Sequence, residues 1–356
     1  MLSPEAVSAR QALRQQLLST DLRPSDQHQF EQLALAVFRY QAVHNPIYRN
    51  YLAHLAVRPD QIFELRRVPF MPIGFFKKHT ILSGFPANAQ PLSDTLTFAS
   101  SGTTGEQTSR HYVPDPDLYN AVSTRIFEQT YGPLSNFHIV ALLPSYLERN
   151  NSSLVYMVQR FIAQTGSEKS GFFLHNHDEL TEQLRQLTQE PDQKKILLIG
   201  VTFGLLDWAE SGEDLSFLGG NPNLIVMETG GMKGRRQELL REEVHTILTD
   251  QLGIQRVHSE YGMTELLSQA YSSGSGVFEP SPTLRILLRD INDPFLIYPD
   301  DYKRTGGINV IDLANLDSCA FIETQDLGQY VGSERNFQVI GRFDNSDVRG
   351  CNLMVL

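Results

Sequence analysis

A large α/β domain with a mostly parallel sheet and a β-rich final third is the fold class this sequence predicts, on three observations. Short apolar runs (FHIVALLP, KILLIGVTFG, NLIVMETGG and QRVHSEYG) alternate with longer helical segments such as HDELTEQLRQLTQ and RRQELLREEVHTILTDQLG. Each run ends in Gly, Pro or polar residues, as strands do where they give way to loops. From about Pro282 onward, TLRILLRD, FLIYP, GGINVIDL and CAFIETQDLG follow one another as closely spaced strands.

The elements can be justified in order. Ser25 caps an amphipathic helix over DQHQFEQLALAVFRYQAV, where Phe30, Leu33, Ala34, Val37 and Phe38 recur at helical spacing, and Pro46 breaks it. RVPFMPIGFFKKH is punctuated by proline and reads as extended, with FFKKH as a strand edge. His138 lies in an apolar run and reads as a satisfied core histidine; His258 has no assigned role. HNHD, His175 to Asp178, lacks a second ligand cluster, and a helix cap at Asp178 accounts for it better than a metal does. No repeat, low-complexity tract or long linker divides the 356 residues. One continuous domain, 1–340, is expected, with an N-terminal helical segment over about 1–60 and a hinge-like segment and tail over 341–356.

Composition narrows the function. The formal charge is −11, with no long basic block, so nucleic acid is excluded as a main partner. The N-terminus has no apolar core followed by a small-residue cleavage site, so no secretory signal is expected, and the expected location is the cytoplasm. The longest apolar stretch, Ile196 to Leu206, is far short of the ~20 residues of a membrane span. Cys319 and Cys351 are the only cysteines, too few for a disulfide framework, and each is judged as a single thiol.

Ligands of parallel sheets gather beyond the carboxyl ends of the strands, so the loops SSGTTG, PSYLERNNSS, ETGGMKGRR and YGMTE are the informative ones. Ser100, Ser101, Gly102, Thr103, Thr104 and Gly105 put glycines and hydroxyls in one loop between β-rich runs. Such a loop can wrap a phosphate with N–H and O–H donors. It can equally be a tight hairpin loop, and it is not a Walker loop, because no Gly-Lys-Ser/Thr follows. In SEYGMTELLSQ, Tyr261 offers an aromatic face, Thr264 a hydroxyl and Glu265 a carboxylate suited to Mg²⁺ beside phosphates.

With SSGTTG, YGMTE, ETQDLG and GRFDNSDVRG in this order, the chain resembles the adenylate-forming superfamily of acyl-CoA synthetases, peptide-synthetase adenylation domains and luciferases. Within it, HNPIYRNYL, VPFMPIGFFKKH, LLPSYLERNNSSLVYM, TGGMKGRR and the terminal VRGC are similar to the acyl-protein synthetases of bacterial bioluminescence, the LuxE family. That resemblance runs from about residue 25 to the end. It implies the large domain of an adenylate-forming enzyme, with mixed and parallel sheets flanked by helices and a β-rich C-terminal part, lacking the full C-terminal lid domain.

It also implies an activity: ATP-dependent conversion of a carboxylic acid, fatty or aryl, to acyl-AMP. Ser100 to Gly105 would hold the ATP phosphates, Gly230 and Gly231 would line the adenine pocket, and Tyr261 followed by Gly262 would stack on adenine. Thr264 and Glu265 would face phosphate and Mg²⁺, and Asp326 and Arg342 would contact the ribose. The acyl group would pass to Cys351 and on to a partner such as a reductase, transferase or carrier protein. Taken alone, Cys351 reads equally as one apolar residue of a terminal strand; Cys319 reads as core.

Two departures from the superfamily pattern bear on charge. EQTSRHY replaces the usual Pro-Lys after the loop, leaving Arg110 as the nearby cation, and the lid lysine has no counterpart. Lys233 is the expected catalytic substitute, against a reading as a surface lysine; Lys77 and Lys78 are weaker candidates. Two alternatives stay open: a coenzyme A or carrier-protein ligase, and an inactive nucleotide-binding scaffold. The acid pocket is expected from LLPSYLERNNSS, VTFGLL, Ser268 and Gln269.

Overall fold

The computed structural model describes residues 4–19, 26–85, 95–100, 108–143, 151–174, 176–190, 192–230, 239–332 and 335–343. Its centre is a mostly parallel sheet whose strands are largely buried. Strands β4 (Phe137–Leu142), β5 (Gly171–Phe173), β6 (Lys195–Val201), β7 (Leu224–Thr229), β8 (His258–Tyr261) and β9 (Ala270–Ser272) form it in the order β5-β4-β6-β7-β8-β9. All neighbours are parallel except β8 and β9. The predicted runs and the helices between them therefore fall where the alternation placed them. VTFGLLDW is the exception: β6 ends at Val201, and Thr202–Ala209 turns at once into a helix buried along most of its length.

The β-rich final third is a second, mostly antiparallel sheet. It contains β10 (Val277–Phe278), β11 (Leu284–Arg289), β12 (Gly306–Asp312), β13 (Phe321–Val331) and β14 (Asn336–Arg342), in the order β10-β14-β13-β12-β11. The short β1 (Met71–Pro72) adds to β13 in parallel, so VPFMP is extended as expected. FLIYP is not a strand: Ile297 makes one isolated bridge to Arg289, while Phe295 and Leu296 are exposed. FFKKH is not a strand edge either. Phe75–Lys78 is one helical turn, started by the Phe76 N–H bonding to the Ile73 carbonyl at 3.1 Å.

The N-terminal helices cover the second sheet. α1 (Pro4–Ser19) holds Arg10 against Asp317 and Asp115, and α2 (Gln27–His44) and α3 (Pro46–His54) follow. Asp26, not Ser25, caps α2, because its carboxylate accepts from the Gln29 N–H; Ser25 lies outside the described residues. Pro46 ends α2 but also opens α3, whose cap is Asn45. Phe321 at the head of β13 meets the rings of Phe38, Phe70 and Tyr48 at 5.8, 5.9 and 6.4 Å. Gln41 and Asn45 reach over this apolar contact to bond the backbone of residues 315–320.

His138 is a core histidine, as expected, bonded to Ser167 Oγ at 2.6 Å and Asp192 Oδ2 at 3.1 Å. Cys319 is fully buried, and burial pushes its thiol up to about 12, so it stays protonated and inert. The helix His177–Thr188 begins after Asn176, so Asp178 sits in its first turn rather than at its cap. Among the described residues no helix is long and apolar enough to cross a membrane.

Candidate active site

The two sheets meet where the sequence motifs lie. Tyr261 ends β8 of the parallel sheet, and its hydroxyl donates to Asp326 Oδ2 on β13 of the other sheet at 2.8 Å. Arg342 faces Asp326 across the β13–β14 pair and donates from Nε to Oδ1 at 3.0 Å. Asp326 is buried while the Arg342 side chain is 66% exposed, so the ion pair runs from the interior to the surface. Burial and the Asp326 charge push the Tyr261 hydroxyl well above its ordinary value, so it remains a donor. The Tyr261 ring packs against Phe278 and Phe337, at 5.8 and 5.7 Å.

The hydroxyl-rich loop springs from a hairpin, β2 (Leu96–Ala99) with β3 (Arg110–Val113). Its base is closed by Ser100 and Ser109: the Ser100 N–H donates to the Ser109 carbonyl at 3.1 Å, and the Ser109 N–H donates to Ser100 Oγ at 3.0 Å. Ser100 thereby keeps its own hydroxyl proton to donate. The hairpin is fastened to the YGMTE segment through His111, whose Nδ1 bonds the Thr264 carbonyl at 2.9 Å. Two motifs 160 residues apart in the chain thus share one corner of the molecule.

Glu265 is 6% exposed. Burial pushes its carboxyl up, opposed by Ser109 and by the Arg342 charge. A single buried carboxylate can serve Mg²⁺ as one of its oxygen ligands. Among the described residues no group of three or more acidic, histidine or cysteine side chains is placed to hold a metal.

The segment after Glu265 is pinned from below. Asn315 Nδ2 donates to the Glu265 carbonyl at 2.7 Å, and Asp312 accepts from the Leu267 and Ser268 N–H groups at 2.7 and 3.0 Å and from Ser268 Oγ at 2.6 Å. Ser268 is therefore consumed in a buried network that also includes Thr283, and it does not line a pocket. Gln269 is likewise buried.

Two glutamates missed in the sequence flank the ends of β7 and β8. Burial pushes Glu228 up, but His245, whose Nε2 lies 3.6 Å from Oε1, and Arg241, which donates from Nε to Oε1 at 3.1 Å, hold it below its ordinary value. Thr202 Oγ1 donates to Glu228 Oε2 at 3.1 Å and to the Gly230 carbonyl at 3.2 Å, fixing the turn at Gly230, whose φ of 76° favours glycine. Arg241 also donates to the Val339 carbonyl at 3.1 Å, tying this end of the parallel sheet to β14.

Glu260 sits opposite Thr229 in register and accepts its hydroxyl at 2.5 Å. A Cβ at position 262 would collide with Glu260 Oε1, which gives Gly262 a structural reason. The signals were present: a Glu immediately before Thr-Gly-Gly and another before Tyr-Gly, each at a strand end.

Burial, together with the nearby Glu228 charge and against the Thr229 bond, pushes Glu260 up to about 7 from its ordinary 4.5. The folded state therefore holds a proton that the unfolded chain releases between those values. Stability contributed by Glu260 is present at low pH and is lost as pH rises toward about 7. A Glu260→Gln variant is expected to lose this part of the pH dependence of thermal unfolding between pH 5 and 8, and an unchanged profile would refute the assignment.

The structure thus brings together Ser100, Tyr261, Gly262, Thr264, Glu265, Asp326 and Arg342, with Gly230 at the adjoining strand end. Ser101 to Gly105, Gly231, Lys233 and Cys351 lie outside the described residues. Arg110 is exposed at the start of β3. His258, whose imidazole burial pushes down to about 4, meets the Tyr131 hydroxyl at 3.2 Å.

An acid-activating ligase of the adenylate-forming type is the class this mixed α/β fold and its motif corner resemble. The particular family is explicit: the model for acyl-protein synthetases, LuxE, matches residues 17–356, and the chain belongs to that family. Among solved structures, the chain is similar to a coronafacic acid ligase from Pectobacterium brasiliense, with 16% identity over 63% of this chain and a TM-score of 0.41. This chain spans 43% of the length of that ligase. No curated protein matches the sequence.

Proposed function

We propose that this chain activates a carboxylic acid, fatty or aryl, with ATP, forming acyl-AMP and pyrophosphate, and then passes the acyl group to a thiol. The observation that carries the reading is that Tyr261, Asp326 and Arg342 form one bonded cluster, while the hairpin that carries Ser100 is tied to Thr264 of the same YGMTE segment. A carboxylate is a poor electrophile. Its attack on the α-phosphate, with departure of pyrophosphate, gives a mixed anhydride with a good leaving group.

The chain's own groups suit each part of that substrate. Asp326 accepts from ribose hydroxyls while Tyr261 and Arg342 hold its orientation. Backbone N–H groups and hydroxyls of residues 100–105 donate to the phosphates, and Thr264 adds a hydroxyl. Glu265 would hold Mg²⁺, which when bound neutralises charge on the phosphates. Lys233 supplies the positive charge that EQTSRHY, standing where Pro-Lys is usual, leaves unprovided.

In the second half, the Cys351 thiolate attacks the acyl carbonyl, AMP leaves, and the resulting thioester delivers the acyl group to a protein partner such as a reductase, transferase or carrier protein. The location consistent with a reactive thiol of this kind is the cytoplasm. Incubation with ATP and labelled acid is expected to give a hydroxylamine-sensitive protein adduct that disappears in Cys351→Ser. An adduct of the same lability in that variant would remove Cys351 from the reaction and favour an external thiol, that of coenzyme A or a carrier. Lys233→Ala is expected to slow exchange of pyrophosphate into ATP at least tenfold, about 1.4 kcal/mol of transition-state stabilisation. Unchanged exchange would return that lysine to the surface.

A further inference from the structure

His111 is a buried imidazole with one working nitrogen. Nδ1 lies 2.9 Å from the Thr264 carbonyl, which can only accept, so Nδ1 carries the proton and Nε2 is left as an acceptor. Among the described residues Nε2 has no hydrogen-bond partner, and the ring is fully buried, edge-on to Phe76 with centroids 5.6 Å apart. An unpaired buried acceptor is unfavourable, and a phenylalanine or leucine would fill the same volume without it. The strand therefore carries a net cost whose return is the Nδ1 bond.

We propose that His111 is a positioning residue: through Thr264 it fixes the peptide between Thr264 and Glu265, and so the direction of the Glu265 carboxylate, relative to the loop that leaves the same hairpin. The assignment rests on the adenylation reading above. Geometry gives it leverage. The Glu265 carbonyl is already held by Asn315, at 2.7 Å, so His111 and Asn315 clamp successive carbonyls from two different elements. Removing the His111 bond frees one carbonyl and lets the carboxylate turn away from the loop. Burial, against the Thr264 bond, keeps the imidazole down at about 4, so the neutral tautomer that makes the bond persists at physiological pH.

Three substitutions separate this role from simple packing. Asn Nδ2 reaches where His Nδ1 does, Gln Nε2 reaches where His Nε2 does, and Phe keeps the volume alone. The readout is Mg²⁺-dependent, acid-dependent exchange of pyrophosphate into ATP, with thermal unfolding measured in parallel. His111→Asn is expected to keep the wild-type Mg²⁺ concentration for half-maximal exchange within about twofold. His111→Gln and His111→Phe are expected to raise it about fivefold or more, the worth of one hydrogen bond, with the acid KM unchanged. Equal Mg²⁺ dependence in all folded variants, whatever their melting temperatures, would overturn the assignment while the adenylation reading stands. No exchange by the wild type would overturn both.

Discussion

Asp326→Ala is expected to lower acid-dependent pyrophosphate exchange about a hundredfold or more, with little change in melting temperature. The carboxylate accepts from Tyr261 and Arg342 and is proposed to accept from the ribose hydroxyls as well. Hydrogen bonds to a charged group are worth about 1.5–3 kcal/mol each, so losing two from the bound nucleotide accounts for the factor. Folding suffers less, because Arg342 is mostly solvated already and only the Tyr261 hydroxyl is left without its partner. Arg342→Gln should therefore cost much less than Asp326→Ala, since an exposed ion pair contributes little by itself. Steady-state exchange at varied ATP separates the two: loss confined to ATP affinity supports a ribose contact, and a loss seen only in stability contradicts it.

The largest effect on stability is expected at Asp312, a residue no motif marks. Its fully buried carboxylate accepts four hydrogen bonds, from the Leu267, Ser268 and Ala314 N–H groups and from Ser268 Oγ. Alanine leaves three buried N–H groups unpaired, at about 1–3 kcal/mol each. That is a large share of the ~5–15 kcal/mol that holds a domain folded. Asp312→Ala is expected to unfold the protein near room temperature or to shift the urea midpoint far below wild type, and Asp312→Asn to fall between. A midpoint shift of less than about 1 kcal/mol would mean that water replaces the carboxylate, and that the segment after Glu265 is not pinned as described.

The site's outline was legible because its motifs sit where apolar runs stop, and strands buried on both faces announce themselves as continuous apolar runs. Tyr261, Glu265, Asp326 and Arg342 come from positions the sequence singles out, and the fold brings them to one corner. What escaped depends on neighbours in space. Asp312, Asn315 and His111 look ordinary in a strand or turn, and only pairing of the hairpin with YGMTE gives them work. Glu228 and Glu260 escaped because strand register, not sequence, sets which face each carboxylate takes.

The misplaced elements have local causes. Ser25 and Asp26 are both good caps, and the helix begins at the one whose carboxylate reaches Gln29. FLIYP is apolar enough for a strand, but Asp290 accepts the N–H groups of Asn292 and Asp293, and that turn leaves Phe295 and Leu296 in solvent. In FFKKH a single turn forms because the Phe76, Lys77 and His79 N–H groups bond the Ile73, Gly74 and Phe75 carbonyls.

The central claim is that the corner between the two sheets activates an acid with ATP. Its most direct test is exchange of labelled pyrophosphate into ATP by the purified full-length protein, with Mg²⁺, across a panel of fatty and aromatic acids. The account predicts exchange that requires one class of acid and is lost in Asp326→Ala; exchange absent with every acid, from protein that binds ATP, would contradict it and leave a nucleotide-binding scaffold.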